Sequence, residues 1–389
     1  MLSALAALAV IGSQQSGPTA AVQSTNAFGI RLLKEIDQTR FRYSSVVLSP
    51  FSADVAFAAL LAGLTGPTRT ELAGALSLSA KPLPSVAQSY QDMQASLRGI
   101  ASEAKFTSSN SFWLSPGSKS PASYQQAIQQ SFNAEIRTLQ ALGTVGAGQV
   151  NGWIAEQTAG EIKHVLDSIP DQSEFVLVNT ALFSAKWMRR VSGRTLTFTR
   201  DGGATTNLKG LFLESELPYA ENKDWQAAAI PYEGGRFVFV IAKPTGGNLA
   251  AALAGLDSAQ WNDLIGSMQE KLGRVTWPEF KFESRTELLP LLAKLGAKRL
   301  QVSSADFEPI MGKLGMISDA FQQAMIDVDE NGTKAAAATV IIGRAGAAPR
   351  PPNAFQGFTL IADKPFVFAI VDRETKASLF LGIYAGPND

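Results

Sequence analysis

Residues 327–348 read D-V-D-E-N-G-T-K-A-A-A-A-T-V-I-I-G-R-A-G-A-A. Glu330, Asn331, Gly332 and Thr333 form a hinge signal. The alanines Ala335, Ala336, Ala337 and Ala338 follow, and Thr339 leads into Val340, Ile341 and Ile342. A small-residue, proline-rich tail then runs to Pro352, and the next clear strand begins only at Pro365. A loop that long inside a compact domain is uncommon and is usually functional or disordered. Its β-branched residues argue against plain disorder. In an extended chain alternate residues face one side. Thr333, Ala335, Ala337 and Thr339 therefore share a small, uncharged face able to slide beneath a packed layer, with Lys334 on the other face. An Ala-rich helix is the competing local reading, because alanine has the highest helix propensity. The surrounding chain decides for a loop built to become a strand.

At 389 residues the chain can bury a large core. Length alone would suggest two or three domains, but no internal repeat or low-complexity linker divides it. Its 34 basic and 34 acidic residues cancel, so no global field draws it to nucleic acid or an anionic membrane. The absence of cysteine excludes disulfides, thiolate metal sites and a cysteine nucleophile. The one histidine, His164 in E-I-K-H-V-L, reads as a solvated residue at the polar end of a helix. Histidine metal clusters and a Ser-His-Asp triad then have little to stand on. Residues 143–148, with Gly143, Gly146 and Gly148, read as a flexible connection and not as a phosphate loop. No enzyme activity, metal or cofactor is expected.

Residues 2–12 form an apolar run of signal-peptide length without a preceding Lys or Arg. The run is too short to span a bilayer. Residues 1–22 are read as a leader or signal peptide and 23–389 as a single domain. Export to the periplasm or medium is expected, with the cytoplasm as the alternative.

Within that domain, Asn26 is expected to cap a helix carrying Phe28, Leu32, Leu33 and Ile36. Ser52 is expected to cap a second helix, nearly devoid of charge and so buried on most sides. Further helices are expected over 88–104, 124–134, 149–166 and 287–295. Strands are expected over 106–114 and over 175–183. The second is nearly continuously apolar and so buried on both faces; Asn179 is an exception, whose amide then needs partners. Residues 226–231 and 237–242 form a hairpin about Glu233, Gly234 and Gly235. A strand over 274–283, containing Pro278, and a pair at 365–371 and 378–384 complete the pattern. Helices early and strands late indicate an α+β fold.

With these residues in view, the chain resembles the serpins over roughly residues 26–387. The resemblance rests on Ser49-Pro50-Phe51-Ser52, Asn151-x-Trp153, Thr158-x-Gly160-x-Ile162, Leu177-Val178-Asn179 and Lys186-Trp187. It rests also on Pro231-Tyr232, Trp277-Pro278-x-Phe280, Ala305-Asp306-Phe307, Lys364-Pro365-Phe366 and Leu379-Phe380-Leu381-Gly382. Each motif is weak alone; their order and spacing together are specific. The resemblance implies helices packed around a large central mixed sheet, with an exposed reactive-centre loop over about residues 330–356. It places Ser49, Ser52, Asn179, Trp187 and Gln322 where that sheet opens. Gln322 and Gln323 stand where the family often has His and Lys, so a titrating histidine is missing there. The loop is also longer than usual on its C-terminal side.

The activity so implied is inhibition of a serine protease as a suicide substrate, through a covalent 1:1 complex made by a monomer. Loop–sheet polymers are a hazard for any chain with an insertable strand and an open sheet. Glu330, Gly332, Thr333, Ala335, Ala336, Ala337, Ala338 and Thr339 would form the hinge. Counting along the loop from Glu330 puts the reactive bond at Gly346–Ala347, suiting an elastase-like or subtilisin-like protease. Arg344–Ala345 is the alternative and would suit a trypsin-like enzyme. A non-inhibitory carrier, storage protein or chaperone is the competing class, disfavoured by the small hinge residues. Asn331-Gly332-Thr333 is also a glycosylation sequon, read as chance because a glycan at the hinge would obstruct insertion.

Overall fold

The computed structural model describes residues 19–36, 44–79, 81–98, 104–333 and 355–387. The first half carries α1 (Ala20–Glu35), β1 (Val46–Leu48), α2 (Pro50–Gly63), α3 (Gly66–Ala75), α4 (Leu83–Arg98), β2 (Lys105–Leu114), α5 (Ala122–Phe132), β3 (Ala134–Thr138), α6 (Gly143–Gln157) and β4 (Phe175–Lys186). Strands then dominate: β5 (Ser192–Thr199), β6 (Thr205–Glu221), β7 (Trp225–Pro231) and β8 (Phe237–Pro244). After α7 (Leu249–Gly255) and α8 (Ser258–Gly266) come β9 (Gln269–Pro278), β10 (Phe280–Glu287) and α9 (Leu288–Lys294). The chain closes with β11 (Asp319–Val328), β12 (Gly332–Thr333), β13 (Phe358–Ile361), β14 (Phe366–Asp372) and β15 (Ser378–Tyr384).

Two sheets form. One has nine strands in the order β1-β15-β14-β8-β7-β6-β9-β13, with β5 paired to β6. The other has six in the order β10-β11-β12-β4-β2-β3. In this second sheet β11 and β4 also pair directly, in parallel, from Asp319↔Val176 to Ala324↔Ala181. The apolar run of β4 is explained by its two covered faces. Phe175, Leu177, Ala181 and Phe183 join the main core with α2, whereas Val176, Val178 and Leu182 join a second core beneath Val150, Trp153 and Ile154 of α6.

Several boundaries differ from the sequence reading. Thr19, not Asn26, caps α1, and Ser49, not Ser52, caps α2, with Ser52 lying inside its first turn. Asn26 lies inside the helix and bonds Asn262 and the Lys376 carbonyl, while its Oδ1 accepts from Ser378 N. Residues 20–22 of the assigned leader belong to α1, and Ala21 and Val22 are buried. The glycine-containing stretch 143–148 opens α6 and is not a loose connection. That helix ends at Gln157, not at 166, because Ala159 and Gly160 take positive φ (51° and 82°). His164 therefore sits in an irregular segment, exposed, 2.8 Å from Asp167. The helix expected over 88–104 begins at Leu83 and ends at Arg98. The strand expected over 274–283 is two strands in two sheets, β9 and β10. They part at Glu279, after Pro278, which has no N–H to donate.

Composition alone hid one feature of α2, its fully buried Asp54. Ser24 Oγ (2.8 Å), Thr25 Oγ1 (2.9 Å) and Tyr90 Oη (2.6 Å) all donate to its carboxylate, joining α1, α2 and α4. Burial pushes the Asp54 carboxyl up to about 7, against the opposing pull of these three hydroxyls. A carboxyl raised above its unfolded value holds a proton in the native state that the unfolded chain has lost. Its contribution to stability thus falls as pH rises from about 4 to about 7 and is level above that. The urea midpoint should decline over that window, and Asp54→Asn should flatten the decline. An equally steep decline in the variant would show that another group is responsible.

Candidate functional site

Asn179 is the polar break in β4, on the face that meets α2. Its Nδ2 donates to Ser52 Oγ at 2.6 Å and to Asn110 Oδ1 on β2. Gln322, its register partner on β11, donates through Nε2 to Asn179 Oδ1 and to the Ser49 carbonyl at 2.9 Å. Gln322 Oε1 accepts from Ser49 N at 2.7 Å. Ser49 Oγ accepts from Ser52 N, capping α2, and donates to the Leu379 carbonyl at 2.7 Å. Ser52 Oγ lies 2.6 Å from Ser108 Oγ. Ser49, Ser52, Asn179 and Gln322 are buried almost completely. The cluster is uncharged, and it ties four strands, β2, β4, β11 and β15, to one helix with the Asn179 and Gln322 amides satisfied. Ser108 and Asn110 belong to it although the sequence reading gave them no role. The signal available was the register, which sets Asn110 opposite Asn179.

Above Ala324 and Ala181 the two strands separate, and Gly332 and Thr333 enter between them. Gly332 pairs with Lys186, and Thr333 pairs with Ala185 on one side and Val328 on the other. A Cβ on Gly332 would lie 2.0 Å from the Ala185 carbonyl oxygen, so no other residue fits this close approach. Thr333 is buried, and its Oγ1 lies 2.5 Å from Tyr232 Oη. Tyr232 stacks on Trp187 at 4.6 Å, and burial holds its hydroxyl well above the usual range. Trp187 Nε1 donates to the Asp329 carbonyl (2.8 Å) and Trp187 N to the Asn331 carbonyl (2.9 Å). Lys209 bridges Glu330 (3.2 Å) and Glu279 (2.7 Å). The structure thus assembles Glu330, Gly332, Thr333 and Trp187 at the top of the seam. Tyr232 and Lys209, which the sequence reading did not place in the site, complete it. Asn331 is exposed at the turn. Ala335, Ala336, Ala337, Ala338, Thr339, Arg344, Ala345, Gly346 and Ala347 lie outside the described residues.

At the lower end, Arg285 on β10 donates to the Val165 carbonyl (2.9 Å) and lies over the Phe321 ring at 4.7 Å. It also pairs with Glu287 at 2.7 Å. Burial, with Glu287 alongside, pushes the Asp319 carboxyl up to about 6. Arg285 thereby clasps the segment after α6 onto the sheet.

Residues 23–387 match the family described as Serpin (serine protease inhibitor). An uncharacterised serpin-like protein of Thermococcus kodakarensis is 30% identical over 379 residues, covering 95% of this chain and 86% of that protein. The leukocyte elastase inhibitor of Bos taurus is 26% identical over 362 residues, covering 88% of this chain and 93% of the inhibitor. Among solved structures, the native state of the thermophilic serpin tengpin superposes with a TM-score of 0.83 at 24% identity, over 96% of each chain. The chain belongs to the serpin family and has its α+β fold. Among the described residues no helix is long and apolar enough to cross a membrane, and no cluster of metal-ligating side chains occurs.

Gln322→Ala would strand the Ser49 amide and the Asn179 oxygen, at about 1–3 kcal/mol for a buried unsatisfied group. The thermal midpoint should fall by several degrees, with faster formation of high-molecular-weight species on native gels after mild heating. An unchanged midpoint would mean that the amide network does not hold the seam.

Proposed function

We propose that the chain inhibits a serine protease as a suicide substrate, as a monomer forming a covalent 1:1 complex, with an elastase-like or subtilisin-like enzyme as the target. In this reading the protease serine attacks the Gly346 carbonyl, an ester forms, and the Ala347 amine leaves with a proton. The freed segment then enters the six-stranded sheet. Serpin loop insertion is a known form of strand addition.

The observation that carries the proposal is the seating of Gly332 and Thr333 between β11 and β4, in register with both. Continuing that register sets Ala335 beside Phe183 and Ile326, and Ala337 beside Ala181 and Ala324. Thr339 then falls between Asn179 and Gln322, where its hydroxyl can join the amide cluster. Val340 would meet Val178 and Phe321 under α6. Ala335 would thus fall where Phe183 and Ile326 already crowd the seam, and overpacking there would be avoided.

The register also states what insertion costs. The direct pairing of β11 with β4 must open, and the Gln322–Asn179 bond must part. Roughly 1 kcal/mol net per new hydrogen bond, over about ten residues with two neighbours, exceeds the loss of one closed seam. The uninserted chain is then held by a kinetic barrier.

Arg344, a residue with an acidic-pocket preference, supports a second reading with a trypsin-like target. Incubation with elastase-, subtilisin- and trypsin-like proteases, followed by denaturing gels and mass spectrometry, tests both readings. A complex surviving denaturation is expected, with a released peptide beginning at Ala347; a start at Ala345 would move the bond to Arg344. Cleavage without complex across the panel would overturn inhibition in favour of a non-inhibitory role. Thr333→Arg should convert the inhibitor into a substrate, since an unpaired charge in the seam costs several kcal/mol; trapping at unchanged stoichiometry would sink the insertion account.

A further inference from the structure

The sequon reading left Asn331 unused, and the structure exposes that residue beside a buried glycine. We infer that Asn331-Gly332 is a deamidation site, protected while the hinge is docked, so that its modification records the time the hinge spends undocked. The chemistry is internal to the chain. The Gly332 amide nitrogen attacks Asn331 Cγ. A nitrogen–carbon bond forms, the Cγ–Nδ2 bond breaks, and ammonia leaves carrying the proton from Gly332 N. Water then opens the cyclic imide at either carbonyl. The product at position 331 is an aspartyl residue or an isoaspartyl residue whose main chain runs through Cγ. Glycine favours the attack because it has no Cβ to block the approach or restrict the backbone.

The docked geometry withholds this nucleophile. Gly332 N donates to Asp329 Oδ1 at 3.1 Å, and the Gly332 carbonyl accepts from Asp329 N at 2.9 Å. The flanking Asn331 carbonyl is held by Trp187 N, and Asn331 Nδ2 lies 3.2 Å from Asp329 Oδ2. Thr333, one residue on, is pinned by Tyr232. Attack requires Gly332 N to rotate out of this pairing towards Cγ, which the strand forbids and the released hinge permits. The chain's other Asn-Gly pair, Asn151-Gly152, is an internal control. Asn151 lies within α6, and its amide is engaged by Val165 N, Leu166 N and the Leu166 carbonyl.

The modification is consequential because the seat tolerates no change of path. An isoaspartyl unit lengthens the main chain at position 331 by one atom, and the carbonyl that Trp187 N holds becomes a free carboxylate off the chain. Gly332 and Thr333 then lose register with Ala185 and Lys186. On the proposed inhibitory reading, the aged fraction would be cleaved as substrate.

The test is peptide mapping of the full chain incubated at mildly alkaline pH, native and in urea, with isoaspartate quantified at positions 331 and 151. Expected are a modification rate at Asn331 at least several-fold slower in the native protein than in urea, and none at Asn151 in the native protein. Thr333→Ala and Tyr232→Phe, which each remove the Tyr232–Thr333 bond, should raise the native rate at Asn331 several-fold. Asn331→Gln should abolish it. Equal rates in native protein and urea, or a native rate indifferent to both hinge variants, would overturn the inference. These arms need no protease, so they decide the matter even if the unmodified chain traps none.

Discussion

The side-chain amides of Gln322 and Asn179 close the seam between β11 and β4, and most of the architecture serves that closure. Gln322 reaches both the neighbouring strand and the backbone of Ser49, where α2 begins. Ser52, one turn into α2, meets Asn179 from below. The helix supplies these partners because Ser49 caps it and because almost all of it is buried, fixing its first turn against the sheet. On the proposed reading, a neutral network suits a seam that must both hold and open. Its groups are costly to leave unpaired, yet an incoming hydroxyl or main chain can take over their bonds. An ion pair in the same place would exact a much larger desolvation penalty on opening.

The upper end of the seam has a different physical basis. There the hinge competes with nothing, because β11 and β4 have already diverged. Gly332 fills the closest approach and Thr333 caps it against Tyr232. Stacking of Tyr232 on Trp187, with Trp187 bonded to the hinge carbonyls, makes the aromatic pair a rigid wall for the hinge. The molecule thus combines a satisfied lower seam with an upper mouth occupied by two residues. The proposed function asks for that combination in a kinetically held state.

Other interactions set how firmly the sheet is covered. Arg285 clasps the segment after α6, and Asn151 gathers the same segment from within the helix. Both hold the layer that covers this sheet. Asp54 works elsewhere, joining three helices by accepting hydrogen bonds from three hydroxyls. Asn151 belongs to the Asn151-x-Trp153 motif, but the partners of all three residues have no periodicity or motif of their own. Each role arises from one polar residue meeting partners far away in the chain, so a linear reading has no handle on it.

What the sequence determined by itself was the local and repetitive part. The nearly continuous apolar run of β4, the charge-poor burial of α2 and the glycine hairpin after β7 follow from steric and burial rules acting within a few residues. The ordered motifs added the family, and with it the expectation that Ser49, Ser52, Asn179, Gln322 and Trp187 matter. Tertiary structure decided where helices end and which partners complete the site. Asn26 became an interior hydrogen-bonding residue because Lys376, Ser378 and Asn262 pack against it. The expected strand across Pro278 split because its halves serve different sheets. Ser108, Asn110, Tyr232 and Lys209 entered the site through register and packing between segments scores of residues apart. Long-range pairing is set by the whole core, and no local pattern encodes it.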